Sequence, residues 1–230
     1  MGTGSRIERP PARQMLADHV YQALMTSLVE GRLTAGESLN IDALSRELDI
    51  SQTPIREALA RLESTGLVVR EALRGYRVAP LFSAEELAEL MEARLAIEPQ
   101  LARLAGEAPG ADLVAALQDS NAALARYGQD AGESLASYWQ ADERFHRLIA
   151  EGAHNRFLLS AYSALGGHVQ RFRLFGGLGV RDADAAVREH QLIIDAIGAS
   201  DAEGAFRAMH HHVGLVKHRA IEESTGAARS

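Results

Sequence analysis

Four polar side chains of this 230-residue chain stand where helical periodicity calls for apolar ones. At about 100° per residue, Leu135, Tyr138, Asp142, His146 and Ile149 fall on one stripe of a helix. Asp142 and His146, four apart, are surface neighbours pointing the same way. His190 shares a stripe with Ala186, Ile194 and Ile197, and His212 shares one with Ala205, Met209 and Val216. The run His210-His211-His212 is informative because only its third member falls on the stripe, while the other two project to the flanks. Three imidazoles and a carboxylate converging from three helices make a metal site. That donor set suits Zn²⁺, Ni²⁺ or Mn²⁺ and is too rich in nitrogen for Mg²⁺ or Ca²⁺. Periodicity does not show that the stripes meet, and the alternative is that each residue is a separately satisfied core group. Arg94, mid-stripe with Leu87, Leu90 and Leu101, poses the same kind of choice. A buried arginine needs an acidic partner. Glu98, one turn on, can be that partner, or the guanidinium fork awaits a ligand carboxylate.

A second constellation lies at residues 51–78. Ser51 or Thr53 can cap a helix whose first turn holds Pro54, where a missing N–H costs nothing. Ile55, Ala58, Leu59 and Leu62 share its apolar face, with Gln52 and Arg56 off that face at the N-terminal end. Gly66 stops the helix, Leu67-Val68-Val69 and Tyr76-Arg77-Val78 are strand-like, and Arg74-Gly75 lies in the turn between them. A helix with outward-reaching N-terminal side chains followed by a basic hairpin is how winged helices meet the DNA major groove. An ordinary amphipathic helix and hairpin fit the pattern equally well.

The elements that position these residues divide the chain in two. Residues 1–13 are a Gly-, Arg- and Pro-rich arm. Residues 14–80 hold a helix from Met15 to Val29, a short helix through Leu44 and Leu48, the Ser51 helix and the hairpin. Ala79-Pro80-Leu81-Phe82 is a joint, and Ser83-Ala84-Glu85-Glu86 has the form of a capping box that opens a second, all-helical region. Six helices are expected there, near 83–106, 112–127, 133–151, 155–175, 182–198 and 202–222. Their breaks fall at Pro109-Gly110, 128–132, 152–155, 176–179 and 198–201, and a frayed tail covers 223–230. The fold class is therefore mainly α: a winged helix-turn-helix, then a six-helix antiparallel bundle.

Composition sets bounds on function. With 47% hydrophobic and 24% charged residues the chain is that of a globular protein. It has no cysteine, which excludes disulfides and thiolate metal sites. No run of eighteen apolar residues and no hydrophobic leader is present, so a cytoplasmic protein without membrane contact is expected. The net charge of −7 argues against nucleic acid only until it is located. Residues 1–80 carry ten basic and ten acidic groups, so the whole excess lies in 81–230. A neutral DNA-reading unit attracts phosphate only modestly, and tight binding needs two copies.

With these residues in view, the chain resembles a known family. Ser51-Gln52-Thr53-Pro54-Ile55-Arg56-Glu57-Ala58-Leu59, then Arg61-Leu62-Glu63 and Gly66-Leu67, is similar to the hallmark of the winged helix of GntR-type bacterial transcription regulators. The wing Arg74-Gly75-Tyr76-Arg77-Val78 also fits. Asp142-x-x-Phe145-His146, Glu189-His190 and His212 resemble, in order and spacing, the signature of the FCD sensing domain of the FadR subfamily. Six helices rather than seven place it nearer the VanR-type branch.

The resemblance implies a homodimeric, nucleoid-associated repressor that binds a palindromic double-stranded operator. Ser51, Gln52, Thr53, Arg56, Arg74 and Gly75 would be at the DNA, Arg56 as the recognition-helix arginine and Gly75 close to the minor groove. Asp142, His146, His190 and His212 would hold a divalent transition metal, with a small carboxylate effector on it; a second effector contact, to Arg94, is expected from that residue's own place on its stripe. One departure stands out. The hallmark's first arginine is Gln52 here, and an arginine common in the preceding helix is replaced around Asp42. Glutamine suits adenine where arginine suits guanine, so an operator unlike the family's usual half-site is expected at the base facing Gln52. Three other readings stay open: a regulator for which the metal itself is the signal, a metal-dependent hydrolase, and a metal-storage or purely structural site.

Overall fold

A computed structural model of the chain describes residues 12–72, 75–127, 135–175 and 183–227. The arm as far as residue 11, Arg74, the breaks at 128–132 and 176–179, and the last three residues lie outside the described residues. The chain divides into two compact units, Met1–Pro80 and Leu81–Ser230.

The first unit comprises α1 (Ala12–Val29), β1 (Ser38–Leu39), α2 (Ile41–Leu48), α3 (Gln52–Ser64), β2 (Val68–Glu71) and β3 (Gly75–Val78). Helix α1 begins three residues before the expected Met15. Its stripe of Ala17, Val20, Leu24 and Leu28 is buried and packs on α3, whose Ile55, Ala58, Leu59 and Leu62 are fully buried. Asn40 caps α2, its side-chain oxygen accepting the Ala43 N–H at 2.9 Å. Helix α3 ends in a Schellman motif. The Gly66 N–H donates to the Glu63 carbonyl at 3.0 Å and the Leu67 N–H to the Leu62 carbonyl at 3.1 Å. The motif needs a left-handed residue just past the cap, and Gly66 supplies it with φ 72°.

The three strands form an antiparallel sheet in the order β1-β3-β2, with Leu39 opposite Tyr76 and Val69 opposite Arg77. Strand β1 was not expected, because two residues offer no alternation to read. Gly75, expected in the turn, instead opens β3 with φ 92°.

The second unit holds six helices among the described residues: α4 (Ala84–Glu107), α5 (Ala111–Ala125), α6 (Leu135–Gly152), α7 (Arg156–Phe175), α8 (Ala183–Gly198) and α9 (Ala202–Ala227). The capping box expected at α4 is formed in both directions. Ser83 Oγ accepts the Glu86 N–H at 3.1 Å, and the Glu86 carboxylate accepts the Ser83 N–H at 2.8 Å. Helix α4 lies against α6, α7, α8 and α9. Leu101, Leu117, Phe145, Ile149, Ile193, Ile194, Met209 and Val213 form the core among these helices, each with almost no exposure. Fully burying a side chain of this kind stabilises by about 1.5–3 kcal/mol. The tail expected from residue 223 is helical as far as Ala227. Ser224, Thr225 and Gly226 are poor helix formers, but extending an existing helix costs only their propensity and no new nucleation. No helix among the described residues is long and apolar enough to cross a membrane.

Candidate metal centre and nucleic-acid interface

Helices α6, α8 and α9 bring Asp142, His146, His190 and His212 together in the interior of the second unit. One ring nitrogen from each histidine lies within 4.8 Å of the others. The Asp142 Oδ1 is 3.8 Å from His146 Nε2 and 3.5 Å from His190 Nε2. All four residues are between 0 and 7% exposed, whereas His210 and His211 are exposed to solvent. The Phe145 ring stacks on His190 with centroids 3.9 Å apart and planes 6° from parallel, which fixes the tilt of that imidazole.

Two carboxylates stand behind the cluster. The His212 Nδ1–H donates to Glu189 Oε2 at 2.7 Å, since a carboxylate can only accept. This leaves Nε2 as the ligand-facing nitrogen. His146 Nδ1 lies 2.8 Å from Glu98 Oε2, but off the line of a good hydrogen bond. Each carboxylate is in turn gripped by an arginine. Arg94 donates from Nε to Glu98 Oε1 at 2.6 Å and from Nη2 to Oε2 at 3.3 Å. Arg219 donates from Nη1 to Glu189 Oε1 at 2.9 Å and from Nη2 to Oε2 at 3.3 Å.

Of the two sequence readings of Arg94, the structure therefore contains the ion pair with Glu98, and the fork does not stand open for a ligand. Its Nη1 faces the Met91 sulfur at 3.8 Å. The roles of Glu98 and Glu189 behind the histidines were not read from the sequence, although both residues were visible there. Arg219 gave no local signal at all, because its partner is 30 residues away.

The electrostatics follow from these contacts. Burial would raise the Glu98 carboxyl, but Arg94 and His146 outweigh it and hold the group well below the usual carboxylate range. Burial likewise opposes ionisation of Glu189, yet His212 and Arg219 bring it down to about 2. Burial pushes the His212 imidazole below its ordinary range, and the Glu189 hydrogen bond offsets this only in part. Both ring nitrogens of His146 are buried with no aligned hydrogen-bond partner. Buried polar atoms in that state are rare and call for an explanation. Three clustered imidazoles and a carboxylate, one of them left short of partners, fit a divalent transition metal.

In the first unit, Ser51, Gln52, Thr53 and Arg56 are all exposed at the N-terminal end of α3. Ser51 is the N-cap by backbone conformation but makes no side-chain capping bond, and Thr53 lies within the helix. A cleft runs between α3 and the wing, lined by Arg56, Ala60, Arg70, Glu71, Gly75 and Tyr76. Gly75 is required there by its φ and not by crowding, since a Cβ would meet its nearest neighbour, the Leu39 carbonyl, at 3.7 Å. Arg74 lies outside the described residues.

Comparison with known proteins agrees with both units. Residues 16–78 match the family described as bacterial regulatory proteins, gntR family, and residues 89–215 match the FCD domain. The chain is 31% identical over 207 residues, 87% of each protein, to the "Probable D-xylose utilization operon transcriptional repressor" of Paenarthrobacter nicotinovorans. It is 27% identical over 199 residues to the HTH-type transcriptional repressor GlaR of Escherichia coli strain K12, covering 84% of this chain and 90% of that one. In fold it is similar to the solved structure of Escherichia coli McbR/YncC. That match has a TM-score of 0.71 at 20% identity and covers 90% of this chain and 97% of the other.

The chain belongs to the GntR family of bacterial transcription regulators, with an FCD domain following the DNA-binding one. It is a DNA-binding transcription regulator, and the hydrolase reading falls with that assignment.

Proposed function

We propose that this regulator is a repressor that binds a palindromic operator as a homodimer and is controlled by a small organic acid at a metal-centred pocket. The convergence of Asp142, His146, His190 and His212 in a buried interior carries the reading. These four side chains would hold Zn²⁺, Ni²⁺ or Mn²⁺, which when bound supplies a Lewis-acidic position that a carboxylate can take. Glu189 keeps the His212 Nε2 turned to the centre, and the Glu98 carboxylate lies 2.8 Å from His146 Nδ1. Arg94 acts through Glu98, which it holds from Nε and Nη2.

Dimerisation is supported by charge: a unit with equal numbers of acids and bases draws phosphate too weakly to hold an operator alone. Two copies would set Gln52, Arg56 and the wing around Gly75 in successive major grooves, on the nucleoid in the bacterial cytoplasm. By linkage, operator must weaken effector binding by the same factor that effector weakens operator binding.

Thermal shift against a panel of carboxylic acids tests the scheme. Stabilisation is expected from some acid with the metal-loaded protein, and its loss is expected after chelation or in His190→Ala. An acid that stabilises equally without metal would sink it.

A second reading, the metal itself as the signal, is favoured by the near-complete burial of all four side chains. Metal titration of operator affinity with no acid present separates the two.

A further inference from the structure

The exposed end of α3 carries a chain of three hydrogen-bonded side chains that neither the core nor the helix ends require. Gln52 Nε2 donates to Asp42 Oδ1 at 2.5 Å, and Arg56 Nη2 donates to Gln52 Oε1 at 3.1 Å. Asp42 comes from the first turn of α2, and all three residues are exposed. Elementary chemistry decides which way round the amide lies. A carboxylate only accepts and a guanidinium only donates. The amide nitrogen therefore faces Asp42 and its oxygen faces Arg56; a flipped amide would set oxygen against carboxylate and N–H against N–H. One N–H and one oxygen lone pair of Gln52 remain uncommitted in this arrangement.

A donor and an acceptor on one amide are what a glutamine uses on adenine: N–H to N7 and oxygen to the N6 amino group. We propose that Asp42 is a positioning residue for base recognition, presetting the Gln52 amide so that it reads adenine in each half-site. The proposal rests on α3 being the recognition helix. A lone exposed glutamine samples many rotamers and both amide orientations, and ordering it on the base reduces affinity. Here Asp42 and Arg56 have already ordered it. The negative charge of Asp42 has a second, separable effect, since it repels phosphate and lowers affinity for all sequences alike.

The test uses the full-length protein and selection from random duplex DNA, followed by anisotropy on matched and single-mismatch duplexes at one salt concentration. Wild-type protein is expected to prefer adenine at one position per half-site by about 5- to 100-fold. Gln52→Ala identifies that position by abolishing its preference. Asp42→Ala is expected to cut the preference to within about threefold while raising affinity for random DNA. Asp42→Asn retains an acceptor oxygen without the charge. It is expected to keep most of the preference while gaining the same random-DNA affinity, an outcome a purely electrostatic role cannot give. Undiminished adenine preference in Asp42→Ala overturns the proposal, as does a loss in Asp42→Asn equal to that in Asp42→Ala. If Gln52→Ala changes no position, the end of α3 does not read bases. That outcome removes the underlying reading, and the proposal with it, and is distinct from a failure at Asp42.

Discussion

In the DNA-binding unit Asp42, Gln52 and Arg56 hydrogen-bond to one another in open solvent, whereas in the FCD unit Arg94, Glu98 and His146 are brought together with 3% or less of each side chain exposed. The residue types are alike and the consequences differ. Exposed pairs of this kind contribute about 0–1 kcal/mol, because water competes for both partners. They can be exchanged singly without risk to the fold. Buried charges have lost their hydration, and removing one partner leaves the other uncompensated at a cost of about 3–5 kcal/mol. Such a set is replaced together or not at all.

The comparison breaks most visibly at Arg94. Arg94→Ala is expected to destabilise the metal-free second unit by about 3–5 kcal/mol in urea unfolding; a loss under about 1 kcal/mol would mean that Glu98 is compensated elsewhere. Arg219 tests an intermediate case, its side chain being 22% exposed. Arg219→Ala is expected to cost about 1–3 kcal/mol. It also shifts acid unfolding. The Glu189 carboxyl is held near 2, below its ordinary 4.5, so its contribution is full above about pH 4.5 and disappears as pH falls toward 2. Without Arg219 the folded-state value rises, less stability depends on that window, and the dependence of the melting temperature between pH 2 and 4.5 should flatten. An unchanged profile would show that His212 alone controls Glu189.

A smaller effect is expected at the α4 cap, where Ser83→Ala should cost about 1 kcal/mol by loss of one half of the capping box. The smallest lies in the exposed network of Asp42, Gln52 and Arg56. Asp42→Ala should leave unfolding stability within about 0.5 kcal/mol of wild type, and a large loss there would erase the contrast between the two networks.

Much of this was legible in the sequence, for identifiable reasons. Helices of 15 to 26 residues repeat their apolar stripe enough times to fix which face is inward. The same arithmetic separated buried His212 from exposed His210 and His211. It could not say which inward residues face one another. Arg219 meets Glu189 across two helices, and Gln52 meets Asp42 across a turn; neither contact has a period. Strand β1 escaped because its pairing partner, β3, supplies the order that two residues cannot specify. The extension of α9 to Ala227 escaped because local propensity was weighed without the helix already in place before it.

The even charge of residues 1–80 has a kinetic meaning. A repressor searching a chromosome slides on non-operator DNA for as long as phosphate attraction holds it there. On the proposed reading, ten basic groups offset by ten acidic ones make that attraction slight, so short encounters and many brief landings are expected instead of long slides. A salt slope for random DNA shallower than that of a basic repressor is the measurable form of this economy. Time not spent on the wrong sequence is time available for the operator.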